Sequence, residues 1–232
     1  MFLVNTPLKT TLMKKLIIAL AAFVMSFSSN AQSDSLYLDL GVNAIRLVNF
    51  GMNNSALDYD VWNPYMLTAN VNYKRLGLRV GLGLRSGTRN ELPTDANGKT
   101  TVLMDTSRVD LRIGLGWEVA LAPKWTFKFG ADYFTASESN LFETEFTNEN
   151  NEKVITTHEV LMDEKGISPF VAVQYHITPR VSLGTELLWR MSSYTSSNSD
   201  TSNLNDADIV RKYEGNKSLI MAPTALFLNF RF

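Results

Sequence analysis

The sequence predicts an all-β fold, an eight-stranded antiparallel up-and-down transmembrane β-barrel preceded by an N-terminal signal peptide. Three observations predict it. Beyond Gln32, apolar side chains recur with a period of two rather than 3.6. The connections alternate long and short along the chain, as in a meander whose tight turns all lie at one end. The polar face of the predicted strands is rich in glycine and arginine, whereas a solvated sheet surface favours Lys, Glu and Thr.

Composition limits the alternatives. The 232 residues are 45% hydrophobic and 19% charged, which fits one domain or at most two and excludes a disordered or collagen-like chain. Cysteine is absent, so disulfides, thiolate metal sites, a cysteine nucleophile and an acylated lipoprotein anchor are all removed. A formal charge of −1 gives no basic field to neutralise phosphates, and nucleic acid is not an expected partner. After the first thirty-odd residues, no apolar run approaches the ~18 to 20 residues of a membrane helix.

The elements follow in chain order. Met13-Lys14-Lys15 is a short basic region, Leu16 to Met25 is apolar, and Ser26 to Ala31 is small and polar, ending Ser29-Asn30-Ala31. This pattern reads as a secretory signal peptide over residues 1–31, with Met13 the true start, residues 1–12 an upstream extension, and cleavage leaving Gln32 first. Cleavage removes Lys9, Lys14 and Lys15 and no acid, which takes the charge from −1 to −4. Residues 32–232 form the barrel domain.

The first strand runs from Leu36 to about Phe50, with Leu36, Leu38, Leu40 and Val42 on one face and a bulge expected near Ala44-Ile45. Tyr65 to Tyr73 and Leu76 to Leu84 form a hairpin about Lys74-Arg75. Val109, Leu111, Ile113, Leu115, Trp117, Val119 and Leu121 mark the clearest strand, and Trp125 to Tyr133 returns across the Pro123 turn. Val171 to Ile177 and Val181 to Met191 flank the Pro179 turn. Ile220, Ala222, Leu226, Leu228, Phe230 and Phe232 make the last strand. Between the hairpins lie four long polar links, about residues 51–63, 86–107, 135–166 and 192–217.

Parity does not say which face points outward; three further features do. The apolar set holds about forty side chains, too many for an eight-stranded interior that only just accommodates ordinary side chains. Glycine beside arginine on the other face points to packed guanidinium groups. Aromatics gather at both ends of the apolar face, with Tyr73, Trp125, Tyr175, Phe230 and Phe232 at the turn end and Tyr65, Tyr133 and Trp189 at the loop end, as interfacial girdles do. Outer-membrane lipid is therefore the expected surrounding, and ring closure pairs every backbone group.

The charged face then lines the interior. It comprises Arg79, Arg85, Arg108, Arg112, Lys128, Arg190 and Arg231 against Asp39, Asp110, Glu118, Asp132 and Glu186. Unpaired charges in so narrow a space are very costly, so a connected salt-bridge network that plugs the interior is expected, with Arg112 and Glu118 reaching different neighbours. The alternative is a narrow ion or solute channel.

No catalytic, cofactor or metal site is expected. His158 lies in the third link and His176 at the opposite end, so they cannot share a relay. Ser168 and His176 are eight residues apart, roughly 25 Å along a strand, which leaves a lipid hydrolase as the weakest reading. Gly81 to Gly87 lacks the spacing and following helix of a nucleotide loop. Asp200, Asn203, Asn205, Asp206 and Asp208 offer oxygen ligands for calcium in the last link, without the spacing of an EF-hand. Leu141 to Thr147 and Val154 to Val160 both have strand propensity, so the third link is expected to project as a hairpin able to bind a protein partner by strand addition.

Leu226, Leu228, Phe230 and Phe232 alternate up to a terminal phenylalanine. This resembles the C-terminal signal that outer-membrane proteins present to the barrel assembly machinery. With the signal peptide and the loop asymmetry, the mature chain resembles small eight-stranded outer-membrane barrels of the OmpA/OmpX-like or PorT-like kind. The resemblance implies export to the bacterial outer membrane and assembly through the C-terminal strand. It implies a structural, recognition or envelope-assembly accessory role and no particular activity.

Overall fold

A computed structural model describes residues 36–45, 63–91, 94–95, 98–99, 101–147, 152–202 and 205–232. Nine strands form one sheet: β1 (Leu36–Asn43), β2 (Leu67–Tyr73), β3 (Leu76–Glu91), β4 (Thr101–Ala122), β5 (Trp125–Thr147), β6 (Lys153–Thr178), β7 (Val181–Ser202), β8 (Asn205–Met221) and β9 (Phe227–Arg231). Thr94–Asp95 and Gly98–Lys99 make a separate two-rung ladder.

Each strand from β1 to β7 pairs antiparallel with the next. β7 then pairs with β8 along Leu188–Ser202 and with β9 along Val181–Gly184, and β9 pairs back onto β1 with Asp39 opposite Arg231. β8 and β9 thus share one position, and the sheet closes in a ring of eight. Closure leaves no free edge at the β1–β9 seam, where the ladder runs from Asp39–Arg231 to Asn43–Phe227. The turns about Lys74-Arg75, Pro123-Lys124 and Pro179-Arg180 lie at one end, together with Leu36 and Phe232. Lys74 adopts φ 56°, the left-handed conformation that a two-residue hairpin turn demands.

The period-two pattern sorts the two faces inside out relative to a water-soluble sheet. On β4, Val109, Leu111, Ile113, Leu115 and Trp117 are 42–56% exposed, while Asp110 and Arg112 between them are 3% and 5% exposed. Leu76, Leu78, Trp125, Phe129, Tyr133, Ile167, Val171, Trp189 and Phe230 continue the outer apolar belt. Trp125 and Tyr175 touch across strands, ring centroids 4.9 Å apart, in the aromatic row at the turn end. No helix among the described residues is long and apolar enough to cross a membrane.

Several expectations are corrected. The first strand ends at Asn43, and Ala44-Ile45 is helical; its continuation to Phe50 lies outside the described residues. The second and fourth polar links are largely strand, while in the third the arms Leu141–Thr147 and Val154–Val160 pair as the expected hairpin, and β3 to β8 carry the ladder well past the apolar belt. Polar sequence reads as loop there because alternation fades once neither face is apolar. The last strand is interrupted at Ala222–Leu226, five residues opposite three on β7. Proline at 223 cannot donate to a ladder, which accounts for the break. Tyr65 is not in the outer girdle: it is fully buried inside the ring. The expected signal peptide, residues 1–31, lies outside the described residues.

Candidate functional site

The inward positions of all eight ring members converge on the charged interior, which is organised in three tiers. The middle tier is an alternating square. Arg79 on β3 contacts Asp132 at 3.1 Å and Glu186 at 2.7 Å, and Arg112 on β4 contacts Glu186 at 2.7 Å and Asp132 at 3.5 Å. Asn63 donates a further hydrogen bond to Glu186 at 2.6 Å. Two cations and two anions from four strands therefore balance in a buried centre, the condition under which buried charge is tolerable.

The tier above repeats the motif. Arg108 and Arg190 each contact both Asp110 and Glu164, at 2.8–3.5 Å, and Arg108 also binds Glu138 at 2.8 Å. Ser192 donates to Glu164 at 2.6 Å. Toward the turn end, Asp39 is shared by Arg231 at 2.9 Å and Lys128 at 3.2 Å, and Lys128 reaches Glu118 at 3.1 Å. Tyr37 donates to Glu118 at 2.9 Å. This lower tier is an open chain rather than a square, and its side chains are more exposed: 28% for Arg231 and 15% for Lys128, against 2% for Arg112.

Each tier also carries aromatic rings under its guanidinium groups. Arg79 lies 3.6 Å from the Phe170 centroid, Arg112 4.0 Å from Tyr65, Arg190 3.9 Å from Phe134 and Arg231 3.8 Å from Tyr37. A desolvated cation over a π face adds about 2 kcal/mol to the pairing. Gly116 and Gly130, opposite each other and in register with Phe170, make this stacking possible: a Cβ at Gly130 would stand 2.8 Å from the Phe170 ring. Their missing side chains leave the gap that the ring fills.

The structure brings together Arg79, Arg112, Asp132 and Glu186; Arg108, Asp110 and Arg190; and Asp39, Glu118, Lys128 and Arg231. Arg112 and Glu118 reach different neighbours, Glu186 and Asp132 for the first and Lys128 for the second. Arg85 is half-buried opposite Arg108 in the ladder. Glu164, Glu138, Asn63, Tyr37, Tyr65, Phe134 and Phe170 are additions that sequence reasoning missed. Parity was an available signal for three of them, since Tyr37 is two residues from Asp39, Phe134 two from Asp132 and Phe170 two from Ser168.

A cavity of about 50 Å³ separates the middle and lower tiers. Arg79, Arg112 and Glu186 roof it, Lys128 floors it, and Thr68, Asn70, Gln174 and Asn229 supply neutral polar walls.

Leu226, Leu228, Phe230 and Phe232 lie at the closing seam: Leu228 and Phe230 pair with Val42 and Leu40, and the backbone of Phe232 exchanges hydrogen bonds with Leu38. Leu226, Phe230 and Phe232 face outward at 38–52% exposure.

The histidines stand apart. His176 shares a 2.8 Å hydrogen bond with Thr126 at the turn end. His158 on β6 is bonded to Asp200 on β7, far up the projecting sheet, beside Phe142. Asp200 is thus a strand residue with a partner, where a polar loop was expected; nothing is described for Asn203, and Asn205 belongs to β8. No group of three metal-ligating side chains occurs among the described residues.

No protein-family model matches the chain, and no curated protein matches it in sequence. Among solved structures, the chain is similar to a major outer membrane protein from Thermus thermophilus, at 12% identity over 85% of this chain and 98% of that one, with a TM-score of 0.36.

Proposed function

We propose that this chain is an outer-membrane β-barrel, exported by a cleaved signal peptide. Its role in this reading is structural, recognitional or accessory to envelope assembly rather than enzymatic, and its interior is plugged by the charge tiers. The observation that carries the reading is the inversion of the sheet, with a continuous apolar belt outside and paired arginines and carboxylates inside. A soluble protein rarely exposes apolar patches beyond a few hundred Å². On β4 the belt runs from Val109 to Leu121, and a bilayer-spanning tilted strand needs about 9 to 11 residues.

The partners follow from the same geometry. Lipid covers the belt, and the C-terminal strand with Leu226, Leu228, Phe230 and Phe232 engages the barrel assembly machinery. The upper parts of β5 to β8 extend beyond the lipid and offer a platform to a protein partner.

Purified protein is expected to need detergent and to float with liposomes; a chain that stays monodisperse in detergent-free buffer overturns the membrane assignment. The cavity below the middle tier favours one second reading, a narrow ion or solute path. Planar bilayers separate the two, because a plugged interior gives no steady unitary current. Loss of lipid hydrolysis in His158→Ala would instead establish an enzyme. Co-purification with envelope neighbours tests the accessory role.

A further inference from the structure

We propose that the cavity between the lower and middle tiers is a binding site for a small cluster of water molecules that hydrates the interrupted wall of the ring. Two independent features meet there. The first is the break between β8 and β9, where Ala222–Leu226 faces Thr185–Leu187 without a ladder. Across it, Thr185 Oγ1 donates to the Pro223 carbonyl at 3.1 Å; Thr224 N bonds the Ala222 carbonyl at 2.7 Å within the segment itself, and Ala44 N bonds the Leu226 carbonyl at 2.8 Å on the β1 side. On β7 the break sits midway between Val181 and Met191, the two ends of that strand's outward apolar set. At hydrocarbon depth, irregular backbone persists only where protein buries it or where it lines a water-filled space. This demand rests on the membrane reading above.

The second feature is the cavity itself. It reaches the wall at the break, through Gly184, Thr185 and Phe227. Gln174 lines it and is 5% exposed; its Nε2 donates to Ser182 Oγ at 2.6 Å, while its Oε1 is buried without a donor. A buried amide oxygen takes a donor in nearly all folded proteins. Water fits the space, since one molecule requires roughly 10 to 15 Å³ measured this way and the cavity has about 50 Å³. Water also fits the chemistry. Thr68, Asn70, Asn229 and Gln174 present a mixture of donors and acceptors, and the cations that border the cavity are already matched by carboxylates. An ammonium has three donors, and Asp39 and Glu118 engage two of those on Lys128.

Hydroxyl-radical footprinting by X-ray radiolysis of the folded full chain in detergent micelles tests the site, because radicals form from bound water beside the residue they modify. Phe227 borders the cavity and Phe134 does not, yet both are almost sealed, at 5% and 0% exposure. Phe227 is expected to be modified at least about fivefold faster than Phe134. In Gly184→Leu the new side chain enters the cavity, where a Cβ meets neighbours at 3.3–3.6 Å without severe clash, and the Phe227 rate is expected to fall to that of Phe134. Equal rates for the two phenylalanines in the wild type overturn the proposal, and that comparison stands even where Gly184→Leu fails to fold. Liposome flotation reads the membrane assignment separately: a chain that does not float but oxidises rapidly at Phe227 keeps the water site and loses the lipid-facing wall.

Discussion

Glu186 and Asp200 belong to the same strand, β7, fourteen positions apart, and each is bonded to a cation-forming partner on another strand. Glu186 holds two arginines and an asparagine at 2.6–2.7 Å with its side chain 6% exposed. Asp200 holds one histidine ring with both side chains near 40% exposed. The strand supplies the same backbone to both, so the difference is one of surroundings. Inside the belt a carboxylate is cut off from bulk solvent and depends on its fixed partners, whereas on the projecting sheet bulk water replaces whatever is lost. Charge pairing therefore specifies the ring in its lower half and merely decorates it above.

The largest effect that would test this contrast is expected from Glu186→Ala. Removing one member of a buried set leaves Arg79 and Arg112 to share Asp132, and the expected loss is about 3 to 5 kcal/mol, read as a lower urea midpoint of tryptophan fluorescence in micelles. A loss below about 1 kcal/mol would mean that the middle tier behaves like an exposed pair rather than a buried one.

Phe170→Leu comes next. It keeps most of the apolar volume but takes the π face from under Arg79, for an expected loss of about 2 kcal/mol in the same assay. The result sharpens the comparison, since a neutral outcome would assign the interior's stability to ion pairing alone. Lys128→Met is expected to cost less than either, about 1 to 2 kcal/mol, because Asp39 retains Arg231 and Glu118 retains Tyr37 in the more open lower tier.

How far the sequence reveals this arrangement depends on the same division. Within the belt, alternation of Val109 to Trp117 with Asp110 and Arg112 identifies the strand and assigns both faces, because hydrocarbon and charge differ in every second residue. Aromatics break that logic. Tyr65 reads as girdle by hydropathy, yet its ring lies under Arg112 and its side chain is sealed, since an aromatic face stabilises a guanidinium as well as it suits lipid. Above the belt, alternation vanishes because Ser193, Thr195, Ser197 and their inward neighbours Ser192 and Ser196 are alike in polarity. Glu164 and Glu138 escape notice for this reason: they sit on strand that reads as loop, although Glu164 is as buried as Arg79. The break at Pro223 was legible from proline chemistry alone, but the alternation of Ile220, Ala222 and Leu226 masked it.

The smallest effect is expected at the upper end of β7. In His158→Ala, Asp200 loses its partner but stays at 43% side-chain exposure, so water takes over the vacated hydrogen bond. Exposed pairs are typically worth 0 to about 1 kcal/mol, and the urea midpoint should move by no more than that corresponds to. The ladder here consists of backbone bonds such as those pairing His158 with Phe142 on one side and Asp200 on the other, and these do not depend on the imidazole. A loss above about 2 kcal/mol would break the comparison, because it would require the projecting sheet to unfold together with the ring rather than fray from it. Amide hydrogen exchange then gives the decisive reading. In the wild type, residues 193–202 of β7 should open at lower free energy than residues 182–190, and His158→Ala should lower only the former.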